Sequence, residues 1–481
     1  MNKTLRGMLP TALAVAVLSS LGPTALAMPE LPGPLPPAAN QKVAHDIFRD
    51  LVEIRSVHDV GTQGTADVIV KYLKANGFTD SEIHIAPETR YPHQVNVVVR
   101  LKGKGHGKPV MWICHMDVVD ARPQDWSVPP FKFTQKDGYF YGRGTADMKD
   151  EDAAVAAALI RLKHEHYVPD RDIVVAFTAD EEVGLEQDGP QFLVQQRKDL
   201  VGDVGLVINP DGGSGEIRDG KRLDFAVETV QKTYMTYHME TANKGGHSSE
   251  PRPDNAIYQL AGGLEKLSHY VFPYKTNATT RAYFASIAKE ADGQRGMDLL
   301  ALSKAPVDTA AAARLAQDPA LNAILHTTCV ATMLQAGVQE NALPSSATAT
   351  IQCRVFPGES ADQVRTTLAK VAADPAIKVS LADPVMPAPE TVPDAKVMDA
   401  VAAVVHGMWG KDIPVMPMMA AGASDSIFTR AAGIPSYGVG GGWNDVDDIR
   451  MHGRDERDAI GNFYQTVEFT YRLMQRLSSA S

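Results

Sequence analysis

His115, Asp117, Asp147, Glu181, Glu182, Asp211 and His452 stand in the stretches MWICHMDVVD, YGRGTADMKD, VVAFTADEEVG, LVINPDGG and RMHGRDERD, most of them beside apolar runs. Carboxylates and neutral imidazoles gathered in one pocket are what two zinc-like cations require. Such a pair needs a bridging carboxylate, flanking ligands and a bridging water made acidic. Asp147 suits the bridge, because the Gly142-Arg143-Gly144 turn allows close backbone approach. Taken alone it reads equally well as a helix N-cap. His115 and Asp117 alternate onto one side of a strand, so Asp117 can accept from the imidazole and hold its tautomer. Glu181 and Glu182 diverge from adjacent positions, so one can bind metal while the other serves as general base. Asp211, followed by two glycines, is a ligand or a turn residue. His452 in isolation says nothing.

The elements that must position these residues follow from hydrophobic periodicity. Ala44–Asn76 has a helical pattern ended by Gly77, and strands are predicted at Gln94–Leu101, Val110–Cys114, Ile173–Ala179 and Gly205–Asn209. Helices are expected at Ala153–His166 and near Gln191–Leu200; Asp150, Glu151 and Asp152 suit the electropositive start of the former. Nearly continuous apolar strands alternating with helices predict a mostly parallel α/β sheet, whose ligands collect at the strands' carboxyl ends. After Asp211 the texture changes. Phe225–Glu240 alternates like exposed antiparallel strands, followed by helix Asn255–His269, strands Thr327–Ala336 and Ala347–Val355, helix Ala361–Ala373 and strand Ile377–Leu381. That is the split βαβ order of a small α+β domain. The α/β texture returns at Val397 and runs to a final helix, Ala459–Leu477. The expected fold is therefore α/β, with residues 44–222 and 384–481 forming the metal-binding domain. Residues 223–383 form an inserted α+β lid, itself interrupted by a helix-like insert at 271–326.

Residues 1–27 have the character of an export signal: Lys3 and Arg6, an apolar Ala12–Leu21, and Ala25-Leu26-Ala27 as the cleavage site. Residues 28–43, with five prolines between Pro29 and Asn40, read as an extended tether. An exported protein, periplasmic or secreted and with no membrane anchor after processing, is expected. The formal charge of −11 and the absence of a basic run argue against nucleic acid as a partner. The three cysteines cannot form a disulfide framework. Cys329 and Cys353 could meet across a hairpin around Asn341, as a disulfide or as two buried thiols. Cys114 points away from His115 and reads as core.

Together the order His-x-Asp, Gly-x-Ala-Asp-Met-Lys, Glu-Glu, Asn-Pro-Asp and a distant loop His resembles the co-catalytic zinc family of aminoacylase, glutamate carboxypeptidase, carnosinase and succinyl-diaminopimelate desuccinylase. The match runs from about Ala44 to the C-terminal helix. The resemblance implies two divalent ions, zinc by family habit. His115, Asp147 and Asp211 would hold one, and Asp147, Glu182 and His452 the other, with Asp117 orienting His115 and Glu181 as base. It also implies that His247, in Lys244-Gly245-Gly246-His247, stabilises an oxyanion, often from a neighbouring subunit of a homodimer formed through the lid. Asn341 in GVQENALP, Arg354, and Gly422 and Ser424 in the Gly-Ala-Ser-Asp loop would bind substrate. Arg354 serves equally as a surface or ion-pair arginine, and the Gly422 loop as a helix N-cap. Two departures stand out. Asp150, Glu151 and Asp152 replace the usual glycines, a change that bears on metal affinity or substrate preference, and the 271–326 insert lengthens the lid.

The expected activity is hydrolysis of an amide bond in a short peptide or N-acyl amino acid, by an exported dipeptidase or carboxypeptidase, with an N-acyl-amino-acid deacylase as the alternative. A non-catalytic binding protein on the same scaffold would have lost a ligand or the base, and none is missing.

Overall fold

The computed structural model describes residues 31–183, 189–386 and 389–479. The 1–27 leader and the first three residues of the 28–43 tether lie outside them. A ten-stranded sheet organises the larger part of the chain. At its centre Ile173–Thr178, Val110–His115, Leu206–Asn209 and Ser436–Gly438 run parallel. Val95–Leu101 and Ile83–Pro87 continue it antiparallel on one side, and Lys221–Gln231, Gly215–Arg218 and Trp443–Asp445 extend the other. The central strands are buried along their whole length, as strands covered on both faces must be. Helices Ala38–Val52, Lys149–His164 and Ile460–Ser478 close over one face around Phe48, Trp112 and Phe463.

Thr328–Ala336, Ser346–Val355, Thr233–Ala242 and Lys378–Leu381 form a second, antiparallel sheet. Helices Ala256–Ser268 and Ala361–Ala372 pack on it around Tyr237, Leu260 and Ile351. Cys329 and Cys353 are direct cross-strand partners, joined as a disulfide that closes a separation of 24 residues. Cys114 is a free, buried thiol.

Several expectations are corrected. The 44–76 helix is two helices, Ala38–Val52 and Gln63–Ala75. The chain leaves helix between them because Ser56 and His58 are needed elsewhere: Ser56 Oγ donates to Met116 O at 2.7 Å, and Ser56 O accepts from Val118 N. The tether does not extend to residue 43, since helix begins at Ala38 and Leu31 O already accepts from buried Gln465. The lid does not begin at residue 223. Lys221–Gln231 stays in the large sheet, pairing with Val415–Ala420, and Lys232 alone separates it from the first lid strand. The 271–326 insert does not lengthen the lid either. Its helices Ala278–Ile287, Gly293–Leu302, Thr309–Leu315 and Pro319–Leu325 build their own core around Phe284 and Leu302, and the first packs on Val415–Ala420 of the large sheet.

Candidate metal centre

Asp147 stands between two imidazoles, one carboxylate oxygen to each: Oδ1 lies 3.1 Å from His115 Nε2 and Oδ2 lies 3.0 Å from His452 Nε2. Glu182 Oε2 lies 3.1 Å from the same His452 nitrogen. Ligand atoms of His115, Asp147 and Glu182 all fall within 4.8 Å of one another, a span that one cation can fill. Four separate segments meet here. The strand ending at His115 supplies the buried imidazole, and Gly144, at φ +84°, turns the chain so that Asp147 enters from the side. The strand ending at Thr178 leads into Glu181–Val183, and His452 arrives on the loop before the last helix. Asp180 and His452 both adopt positive φ, +66° and +61°, a strain tolerated where surrounding contacts fix a functional loop.

The electrostatics call for cations. Burial, with Asp147 nearby, pushes Asp211 up to about 8, and burial with Asp211 nearby pushes Glu181 well above the ordinary range. Hydrogen bonds donated to Asp147 and Glu182 raise His452 to about 10. Packed without counter-charge, these groups hold extra protons, which divalent ions would displace. The residues present therefore fit a pair of divalent ions, with Asp147 the natural shared ligand.

Asp117 meets His115 through its backbone oxygen rather than through its carboxylate. His115 Nδ1 is 3.1 Å from the Asp117 backbone oxygen and 3.7 Å from its carboxylate, beyond hydrogen-bond range. The carboxylate instead accepts from Glu181 N at 3.2 Å and Glu182 N at 3.0 Å. Two groups outside the expected set hold the loops together. Buried Glu456 pairs with Arg143 at 2.5 Å and accepts from Ala146 N, while Arg143 donates to His452 O and Gly453 O. This ties the His452 loop to the Asp147 turn; an acid in RDERD was visible in sequence, its partner was not. His58 Nδ1 lies 2.9 Å from the fully buried Asp180, beside the two glutamates.

The lid residues divide. Arg354 stacks over Tyr234 at 4.7 Å, its directly opposed cross-strand neighbour, close enough to Glu181 to feel its charge. His247 and Asn341 are brought side by side by a short pairing of Gly246–His247 with Ala342–Leu343, and both are exposed. Among the described residues neither touches the metal ligands. Ser424 Oγ is buried and donates to Gln231 at the hinge, while Gly422 is exposed. Asp425 accepts from Thr178 Oγ1, tying that loop to the strand that delivers Glu181.

Residues 111–476 match the model of Peptidase family M20/M25/M40. The chain belongs to this family. It is accordingly a hydrolase of the metallopeptidase and amidohydrolase type. An N-fatty-acyl-amino acid synthase/hydrolase from Xenopus tropicalis is 26% identical over 386 residues, spanning 78% of this chain and 74% of that protein. A probable succinyl-diaminopimelate desuccinylase from Staphylococcus aureus is 32% identical over 269 residues, spanning 55% of this chain and 58% of its own. Among solved structures, the M20 metallo-carboxypeptidase Sso-CP2 of Sulfolobus solfataricus superposes with a TM-score of 0.66 at 17% identity, covering 90% of this chain and 99% of that one. Human carnosine dipeptidase 1 gives 0.63 at 14%, covering 92% and 99%. These two establish the fold, an α/β domain with a lid.

Proposed function

We propose that the protein is an exported dimetal hydrolase that cleaves the amide bond of short peptides or N-acyl amino acids ending in a free carboxylate. The observation that carries this reading is Asp147 shared between His115 and His452, with Glu181 beside it and Arg354 overhead. His115, Asp147, Asp211, Glu182 and His452 would hold two zinc-type cations, which would supply Lewis-acid polarisation of the scissile carbonyl and of the attacking water. Glu181, held by its backbone to Asp117, accepts that water's proton and returns it to the leaving nitrogen. Arg354, stiffened by Tyr234, grips the substrate carboxylate, with Asn341 and the Gly422–Ser424 loop as further contacts. His247 serves the oxyanion, and its distance from the metals supports its delivery by lid closure or by a partner subunit. The exposed edge strand Thr328–Ala336, with Val330, Met333 and Leu334 outward, supports a homodimer through the lid. Export is supported by the leader's pattern and by the Cys329–Cys353 disulfide, which suits an oxidising compartment.

An exopeptidase reading, dipeptidase or carboxypeptidase, is supported by the structural relatives. N-acyl-amino-acid deacylation is the second reading, supported by the acyl-amino-acid hydrolases among the sequence relatives. The test is zinc-dependent hydrolysis of a panel of dipeptides and N-acyl amino acids by the parent and by Glu181→Gln. A fall of about two orders of magnitude or more, with metal content unchanged, is expected for removal of a general base. Equal turnover by the variant would sink the assignment.

A further inference from the structure

Asp150 and Glu151 open the helix after the bridging motif, and burial rather than solvent surrounds them: they are 8% and 6% exposed. With Asp458, 7% exposed, and Glu216 they line a cavity of about 320 Å³. Asp150 Oδ1, Glu151 Oε2 and Asp458 Oδ2 are buried oxygens without hydrogen-bond partners. The remaining contacts are neutral: Glu151 Oε1 accepts from Gly441 N at 2.6 Å and Asp458 Oδ1 from Asn462 at 2.8 Å. Among the described residues none of the four carboxylates forms an ion pair. Two arginines border the cavity, and both are paired with Asp448, Arg450 at 2.7 Å and Arg457 at 2.6 Å, the latter also stacked on Tyr139 at 3.8 Å with its Nε left unbonded. Unpaired buried carboxylates are costly unless a cation or a proton joins them.

The cavity is also lined by Asp211 and by Ala146 and Met148, the residues just before and just after Asp147. A group lodged in it therefore lies beside the candidate metal centre. Among the described residues, only His115, Asp147 and Glu182 bring three ligand atoms within one cation's reach, and the cavity's acids are spread over a volume far larger than an ion needs. We propose that this cavity is a specificity pocket for an ammonium or guanidinium group carried on the acyl side of the substrate, gripped by Asp150, Glu151, Glu216 and Asp458. It rests on the amide-hydrolase reading above and narrows its substrate class. A long, wholly apolar acyl chain would leave four carboxylates desolvated against hydrocarbon, so such substrates are selected against.

The experiment uses the metal-loaded parent and three amides of one amino acid, bearing caproyl, ε-aminocaproyl or N-acetyl-ε-aminocaproyl groups. The ε-aminocaproyl compound is expected to have the highest kcat/KM, by roughly tenfold or more, the worth of a charge-assisted contact. In Glu216→Gln and Asp458→Asn the ratio of charged to caproyl substrate should fall toward unity. Equal or reversed preference in the parent overturns the proposal without reference to any variant, even where the panel of other amides is hydrolysed. Preference that survives both substitutions overturns the assignment to this cavity. A third equivalent of metal in the holoenzyme would mean that an inorganic cation fills it instead. If a dimetal-loaded parent hydrolyses no amide at all, the hydrolase reading fails, and this inference falls with it.

Discussion

The carboxylate of Asp117 accepts the backbone N–H of Glu182 at 3.0 Å, and that of Glu181 at 3.2 Å. A residue two positions beyond His115 thus sets the turn that carries Glu181 and Glu182, the proposed base and a proposed ligand. Asp117→Asn leaves one acceptor oxygen for two donors. We expect kcat to drop about 10- to 100-fold, the usual cost of losing an outer contact at a metal site. Steady-state kinetics with metal analysis would check it; full activity would mean that the turn holds itself.

Arg354 lies over Tyr234 with one guanidinium nitrogen buried and unbonded. Replacing it by alanine should raise KM for a substrate with a free carboxylate by about 10- to 100-fold, the worth of a charged hydrogen bond, and change kcat far less. The C-terminal amide of the same substrate should be nearly indifferent to the change. If acid and amide suffer alike, Arg354 is structural.

Burial pushes Glu151 from 4.5 up to about 8, assisted by Asp458 and Asp152 and opposed by the Gly441 N–H. Between those values the folded protein holds a proton that the unfolded chain has released. Stability from this group is therefore complete at low pH and declines as pH rises toward 8. Glu151→Gln keeps an acceptor for Gly441 and removes the titration. Melting temperatures of the metal-free protein from about pH 5 to pH 8 should fall less steeply in the variant. Parallel slopes would show that other groups control the profile.

Lys232 is the single residue between the last strand of the large sheet and the first of the lid. Its buried ammonium donates to Ala323 O and His326 O at 2.8 Å and to Thr328 Oγ1 at 3.1 Å, so the insert's last helix is fastened to the hinge. Lys232→Met strands three acceptors and should cost about 1–3 kcal/mol in urea unfolding. Unchanged or increased stability would mean that the cost of burying the charge, which lowers this lysine to about 7, already cancels its bonds.

The residues of the candidate metal cluster were legible because their chemistry is local. A histidine at a strand end, an aspartate after a glycine turn and paired glutamates after an apolar run carry their type and direction with them, since strand alternation and turn geometry are short-range rules. The central sheet was legible for the same reason, its strands being apolar enough to demand cover on both faces. Asp117 does meet His115, through its backbone oxygen, while its carboxylate has partners that the local pattern did not show. Two residues of separation fix direction, whereas the Glu181–Glu182 turn that claims the carboxylate arrives from another strand.

What the sequence determined by itself was the residues of the candidate cluster His115, Asp147 and Glu182, the alternating α/β framework and the presence of a smaller antiparallel domain. Only the tertiary structure decided that Lys221–Gln231 belongs to the large sheet, that the 271–326 helices brace that sheet and the hinge, and that Glu456 anchors the His452 loop. It also turned Asp150 and Glu151, which read as charges suited to a helix start, into walls of a cavity, because residues 440–462 fold over that helix end. Burial is set by what packs on an element from far along the chain, and no pattern within the element itself encodes it.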